Sequence, residues 1–306
     1  MNNICHKILL KLRINFLLLV LLSCNLTGKD VKTKAFYELN EAQIDSILHK
    51  VSLQAWTVSE KMNYYSSAFL GMPYDIKCVG DGPYALYEKE PLVNFNETNC
   101  MAFCEHVLAL SISDNWENFF NNLQQIRYKD GIIGIKTRNH YTMADWLPQN
   151  AWLLKDVTAE TGGAQTKKIT RSISHRNFFR DKGITDTTDT LPDRVITIDY
   201  IPLSAIKNVK DYFKTGDIIS LLFAKLDNIF SAHMVMVVMK NDKRYIRESS
   251  NSRMTTFDTP LDEWIKEKES KYAQRYLGIT VMRVKESVNI PGKIIKPAQI
   301  KKLKNQ

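Results

Sequence analysis

Apolar residues at helical spacing occupy residues 40–67 and 100–125, and short strand-like runs bounded by turn residues lie within residues 217–284. Helices first and an antiparallel-type sheet later predict an α+β fold. The Asn241-Asp242 pair between the apolar run 233–239 and the segment 244–248 fits a hairpin turn. The length of 306 residues suits one large domain or two small ones with a substantial core.

The N-terminus is set aside first. Lys7, Lys11 and Arg13 precede an apolar run from Ile14 to Leu22 broken only by Asn15. That run is too short to span a bilayer and fits a secretory leader. Leu21-Leu22-Ser23-Cys24 then reads as a bacterial lipobox, with Cys24 as the lipidated residue. The expected organisation is a signal peptide over 1–23, a polar tether over 24–40, a catalytic domain over 41–288 and a basic, solvated tail over 289–306. The chain is expected to be exported, either periplasmic or anchored to a bacterial membrane through Cys24. Loss of the leader takes three basic residues and no acidic ones, so the net charge falls from +9 to 9 − 3 = +6. No basic stripe interleaved with aromatics is present, so nucleic acid is not the expected partner.

Ile44, Ile47, Leu48, Val51, Leu53, Trp56 and Val58 recur at helical spacing, with one helix starting at Asn40 or Glu41 and a second near Thr57. Gly71 and Pro73 end it. Tyr84–Tyr87 and Leu92–Phe95 read as short extended pieces. Cys100–Ser111 and Asn115–Gln125 read as helices, followed by an irregular stretch. Residues 157–195, rich in Thr and Asp, read as a long polar insertion or surface excursion. A short helix over Leu203–Phe213 is followed by strands over 217–223, 233–239, 244–248 and 278–284, with a helix over Leu261–Lys266.

Cys100 stands where a polar loop becomes an amphipathic helix. The positive end of the helix dipole and the free N–H groups of the first turn favour its thiolate. Five cysteines occur; after the leader and Cys24, the remainder are Cys78, Cys100 and Cys104, an odd number that leaves a free thiol. None shows zinc-type CxxC spacing, and no metal or cofactor is expected. Cys104, a turn inside the helix, reads as a buried structural thiol. A nucleophilic Cys needs a His to exchange its proton and a polar group to orient the ring. His233 opens an apolar strand, and Glu248, beyond the hairpin turn, can accept an imidazole N–H or pair with Arg247 or Arg253. Arg138 and Tyr141 carry polar tips in a loop; Arg138 suits a substrate carboxylate or a surface ion pair.

Four stretches in order carry a resemblance: Phe69 to Tyr74; Leu92 to Leu110 around Cys100; Arg138 to Tyr141 with Asp145-Trp146; and Gly216 to Ile219 with His233 and Arg247 to Ser250. Together they span most of residues 43–285. The chain resembles the NlpC-type cysteine peptidases of bacterial cell walls, in the N-acetylmuramoyl-L-alanine amidase-like branch. The resemblance implies a papain-like NlpC-type core, a Cys-bearing helix packed on an antiparallel sheet, with additional helices. It implies hydrolysis of the amide between N-acetylmuramic acid and L-alanine in peptidoglycan or muropeptides, with Cys100 as nucleophile, His233 as base and Glu248 as third member. Tyr74 joins Arg138 and Tyr141 as an expected substrate contact. This sequence departs from the pattern at Asn99 (usually Asp), Ala102 (usually Thr) and Met234-Val235-Met236 (usually Val-Gly-Ile). Two other functions fit the same residues: a stem-peptide endopeptidase cutting after D-glutamate, and a non-catalytic peptidoglycan-binding lipoprotein.

Overall fold

The structure, a computed structural model, describes residues 34–305. The expected signal peptide and the expected lipidation residue Cys24 lie outside the described residues. Four helices come first: α1 (Glu41–Ser52), α2 (Val58–Ser67), α3 (Cys100–Ser111) and α4 (Trp116–Arg127). Each begins where a side chain satisfies first-turn N–H groups. Asn40 with Gln43 and Thr57 with Glu60 form reciprocal capping boxes, and Asn99 and Asn115 cap the other two.

Eight strands form one antiparallel sheet: β1 (Leu154–Asp156), β2 (Lys167–Ile173), β3 (Arg194–Pro202), β4 (Ile218–Phe223), β5 (Ser231–Lys240), β6 (Lys243–Ser250), β7 (Thr255–Pro260) and β8 (Tyr276–Val284). Their order is β2-β3-β8-β4-β5-β6-β7, with β1 also on β8. Three further helices are α5 (His175–Asp181), α6 (Leu261–Lys271) and α7 (Pro297–Lys304). Single-turn helices at Leu147–Gln149, Thr158–Gly162 and Ile206–Val209 serve as connectors. The whole is α+β, as expected.

The central strands are apolar on both faces, which is why they read as near-continuous apolar runs. Ile218, Met236, Val238 and Met282 join Phe103, Val107 and Leu108 of α3 in one core. Ile219, Val235, Val237 and Val281 join Trp264 and Ile265 of α6 in a second. The sheet is therefore sandwiched between the α1–α4 layer and α6. Asn241 and Asp242 both take left-handed backbone angles (φ 48° and 59°), the geometry of a tight two-residue hairpin turn.

Several segments differ from expectation. The polar stretch 157–195 contains β2, α5 and the start of β3. The β2–β3 ribbon reads as polar because β3 meets the rest of the sheet only at Ile201 and Pro202, leaving most of the ribbon solvated. His175 and Phe179 of α5 and the neighbouring Ile173 and Ile184 are nevertheless buried. Residues 84–87 and 92–95 are irregular, bending backbone rather than strands, with Tyr84 and Leu86 exposed. The C-terminal stretch is docked rather than solvated: Ile295 and Ile300 are fully buried, and the Ile295 N–H donates to the Ile112 carbonyl. Ahead of α1, Phe36 packs against Phe69 and Phe95, so the last residues of the polar segment before residue 41 are fixed to the body.

Candidate active site

The site is set by a split in the sheet. β5 and β6 pair only from Lys240↔Lys243 to Met236↔Arg247. Beyond that pair β5 remains on β4 through Met234↔Ser220 and Leu221↔His233, while β6 continues on β7 through Glu248↔Phe257 to Ser250↔Thr255. The start of α3 meets the opening. The Thr98 carbonyl accepts from Ser249 Oγ at 3.3 Å, and the Cys100 thiol is hydrogen-bonded to the Met234 backbone N–H, which the β5–β6 ladder leaves free.

The same thiol is hydrogen-bonded to the His233 ring and to the Met101 N–H. His233 Nε2 lies 2.9 Å from Glu248 Oε2, which leaves Nδ1 for the sulfur. Burial opposes the Cys100 thiolate, but the charge and hydrogen bond of His233 with the two backbone donors outweigh it and bring the thiol below its ordinary value. Burial likewise opposes the imidazolium, but Cys100 and Glu248 raise His233 to about 9. Glu248 sits below the usual carboxylate range: its burial is overcome by His233, Lys268 and Arg253. Cys100, His233 and the buried Glu248 thus each favour the charged form of the group beside them.

Asn99 makes bonds that the aspartate expected from the resemblance could not all make. Its Oδ1 accepts from the Met101 and Ala102 N–H groups at 3.0 and 2.9 Å, and its Nδ2 donates to the Ile76 carbonyl at 3.1 Å. An aspartate could cap the helix but could not make the second bond, and its charge beside the sulfur would disfavour the thiolate. The Cys100 N–H has no hydrogen-bond partner among the described residues. It stands at the start of α3, at the positive end of the helix.

Tyr74 lies beside this group. The Phe69–Tyr74 segment runs along β7, with Gly71 N–H donating to the Thr256 carbonyl and Thr256 N–H to the Met72 carbonyl, and Tyr74 bridges to Thr98. Burial, then the nearby Cys100, Cys78 and Asp75, push the Tyr74 phenol up to about 12, so it is a neutral donor near the sulfur. Arg138 and Tyr141 are elsewhere. Arg138 is half-buried, ion-paired with Glu88, 3.8 Å from Asp81, and donates to the Gly80 carbonyl at 3.2 Å. It lines a cleft of about 690 Å³ with Asn99, Met101, Ala102 and Glu105, a cleft that Cys100 does not line. Tyr141, expected to touch substrate, is instead a packing residue. It is buried against His175 and Phe178, with its hydroxyl donating to the Ser174 carbonyl, because residues 174–178 cover it.

The other thiols and imidazoles have structural places. Cys78, Cys100 and Cys104 are all free thiols. Burial pushes Cys78 up to about 12 and Cys104 well above its ordinary value. His106, buried, and His140, half-buried, are both held neutral, and His175 bonds Asp145 at 2.8 Å. Among the described residues no group of three or more His, Cys, Asp or Glu is arranged to hold a metal. Sequence reasoning missed Lys268 of α6, whose Nζ is 3.8 Å from Glu248 Oε1. The signal was present: Trp264, Lys268 and Tyr272 follow at steps of four, which stacks them on one helix face.

Comparisons with known proteins were made on this basis. A family profile described as AmiA-like, N-acetylmuramoyl-L-alanine amidase-like, matches residues 64–272, which include Cys100, His233, Glu248 and Lys268. No curated protein matches significantly. Among solved structures, a protein from Legionella pneumophila str. Philadelphia 1 assigned to the DUF1460 family is 20% identical, with a TM-score of 0.71 over 84% of this chain and 96% of its own. An N-acetylmuramoyl-L-alanine amidase from Bacteroides uniformis is 24% identical, with a TM-score of 0.60 over 75% of this chain and 99% of its own. At these identities the two structures establish a shared fold.

Proposed function

We propose that this chain, which belongs to the AmiA-like family of N-acetylmuramoyl-L-alanine amidase-like proteins, is a cysteine amidase that hydrolyses the bond between N-acetylmuramic acid and L-alanine in peptidoglycan or its muropeptide fragments. The observation that carries this reading is the hydrogen-bonded chain from the Cys100 thiol through His233 to Glu248. A papain-like NlpC-type core is the corresponding reading of the fold. Its support is the Cys-bearing helix set against the strands that hold the His and its carboxylate.

In this mechanism the Cys100 thiolate attacks the lactyl carbonyl carbon. The developing oxyanion accepts a hydrogen bond from the unpartnered Cys100 N–H, with Tyr74 as a neutral donor within reach of the same centre. Collapse breaks the C–N bond, and the His233 imidazolium gives its proton to the departing amine of L-alanine. The neutral ring then takes a proton from water as that water attacks the thioester, releasing the muramyl carboxylate and restoring the thiolate–imidazolium pair. Glu248 keeps the ring oriented and its charge supported throughout.

The substrate would reach the enzyme outside the cytoplasm, since residues 1–24 read as a leader with a lipid attachment site at Cys24. Mass spectrometry of digested muropeptides tests the bond cut. Free stem peptide plus amino sugar is the expected product pair. Release of L-alanyl-D-glutamate still attached to sugar would instead support the endopeptidase, and no product at all the binding protein.

A further inference from the structure

Glu248 is contacted from two sides. Its Oε2 faces His233 Nε2 at 2.9 Å, and its Oε1 faces Lys268 Nζ at 3.8 Å. The Lys268 side chain is only 8% exposed. Its ammonium sits over the rings of Trp264 and Tyr272, with centroids at 5.4 and 5.0 Å, and its other carboxylate neighbour is Glu267 at 3.9 Å. A buried ammonium walled by two aromatic rings and turned to a buried carboxylate is an expensive arrangement to keep for packing alone. Surface lysines on α6 could have provided the helix with charge.

We propose that Lys268 is a positioning residue of this site: its ammonium and the His233 ring share the Glu248 carboxylate, one on each oxygen, so that the carboxylate orients the ring without lending it its whole charge. The proposal rests on the catalytic reading for its purpose and on geometry for its substance. A ring facing an undivided buried carboxylate holds its proton too firmly to pass it to a leaving amine. A ring with no carboxylate is neither oriented nor charged. Sharing Glu248 with Lys268 sets the imidazolium between those limits. The other charged or titratable groups around the carboxylate are Arg253 in the β6–β7 turn and Tyr276 on β8, while Cys100 faces the far side of the His233 ring with Cys104 and Tyr74 beside it. Arg253 is stacked on Phe257 at 4.0 Å and adds positive charge on the same side. Of the two cations, Lys268 is the one within ion-pair distance of the carboxylate.

The test uses the Cys100→Ala protein, in which His233 titrates without a thiolate partner and no turnover is needed. The deprotonation midpoint of the His233 ring is read by long-range 1H–15N NMR, with its signals assigned by their loss in the Cys100→Ala/His233→Asn protein. Lys268→Met and Lys268→Gln, added separately, are each expected to raise the midpoint by about half a pH unit or more, since a positive neighbour is removed and Glu248 is left to His233. Lys268→Arg is expected to keep it within about 0.2 units of the parent, because the charge remains. A midpoint that stays put or falls in whichever of the two neutral variants folds, as judged by thermal melting, overturns the proposal. Absence of muropeptide hydrolysis by the wild-type enzyme would count against the amidase reading and leave this titration result standing.

Discussion

Replacing His106 with Phe is expected to flatten the acid side of the stability profile. His106 is fully buried, with its ring against Phe69, Phe95 and Phe119 at centroid distances of 6.3, 5.3 and 6.0 Å. Its Nδ1 donates to the Ala102 carbonyl at 2.6 Å, and Nε2 has no partner. Burial, reinforced by the Arg127 charge, lowers its pKa from 6.5 to about 3. The folded value lies below the unfolded one, so the unfolded chain takes up the proton first. The neutral ring's contribution is complete above about pH 6.5 and is lost as the pH falls toward 3. Each unit corresponds to about 1.4 kcal/mol, so two units between pH 6.5 and 4.5 cost the wild type about 3 kcal/mol through this residue. Phenylalanine fills nearly the same volume and takes no proton. Urea unfolding at pH 7.5 and 4.5 should therefore show His106→Phe within about 1 kcal/mol of wild type at the higher pH and about 3 kcal/mol more acid-resistant at the lower. His140, also held neutral by burial at about 4, titrates equally in both proteins and cancels. Equal losses in the two proteins would refute the reasoning.

Three further outcomes follow from the site and the sheet. Glu248→Gln removes the charge supporting His233, so iodoacetamide alkylation of Cys100 at pH 6 should slow about tenfold, corresponding to about 1.4 kcal/mol in thiolate stability; an unchanged rate would contradict the role given to Glu248. Asn99→Asp should leave the helix capped, yet move the acid limb of Cys100 alkylation up by about half a pH unit or more, and a limb that stays in place argues against the account of Asn99. Gly278→Ala places a Cβ 2.2 Å from the Ile201 carbonyl oxygen and 2.9 Å from its carbon, where strand backbone cannot give way cheaply. A loss of about 2–4 kcal/mol is expected by urea unfolding, and wild-type stability would mean that β3 can move off β8 freely.

Local signals identified the parts of the fold that depend least on tertiary partners. Asn40 and Thr57 were legible as helix starts because each forms a complete capping box within its own turn. β4, β5 and β8 were legible because packing on one or both faces makes them apolar, and β6, largely polar, because the Asn241-Asp242 turn returns the chain beside β5. β7 was not: its Thr-Thr-Phe-Asp-Thr-Pro sequence becomes a strand through the ladder with β6 and the ion pair of Asp258 with Arg247, which spans the two strands at 2.7 and 2.8 Å. β2 and α5 were hidden in a polar background because their apolar anchors are few and widely spaced. The same holds for α7, where Ile300 stands among lysines.

The site divides in a similar way. Cys100 stood out by its place at a helix start and His233 by its place on an apolar strand, properties that one segment of sequence carries. The hairpin pointed only to the neighbourhood of Glu248, because its register would set Ser250 across from His233 and the parting of β6 from β5 is what leaves Glu248 at the ring. Arg138 and Tyr141 could not be judged that way. Their surroundings come from residues 80–88 and 174–178, and those segments commit the guanidinium to Glu88 and bury the phenol. Lys268 was missed because a lysine on an amphipathic helix ordinarily faces water, and only the arrival of β6 beneath α6 turns it to a carboxylate.

The central claim is that Cys100 is the nucleophile and that the acyl group it carries is muramyl. Acid-quenching the enzyme with excess muropeptide, followed by peptide mass spectrometry, measures both at once. The account predicts a thioester adduct of N-acetylmuramic acid mass on the peptide containing Cys100, absent from Cys100→Ala. An adduct of N-acetylmuramyl-L-alanyl-D-glutamyl mass on Cys100, or hydrolysis that persists in Cys100→Ala, would contradict it.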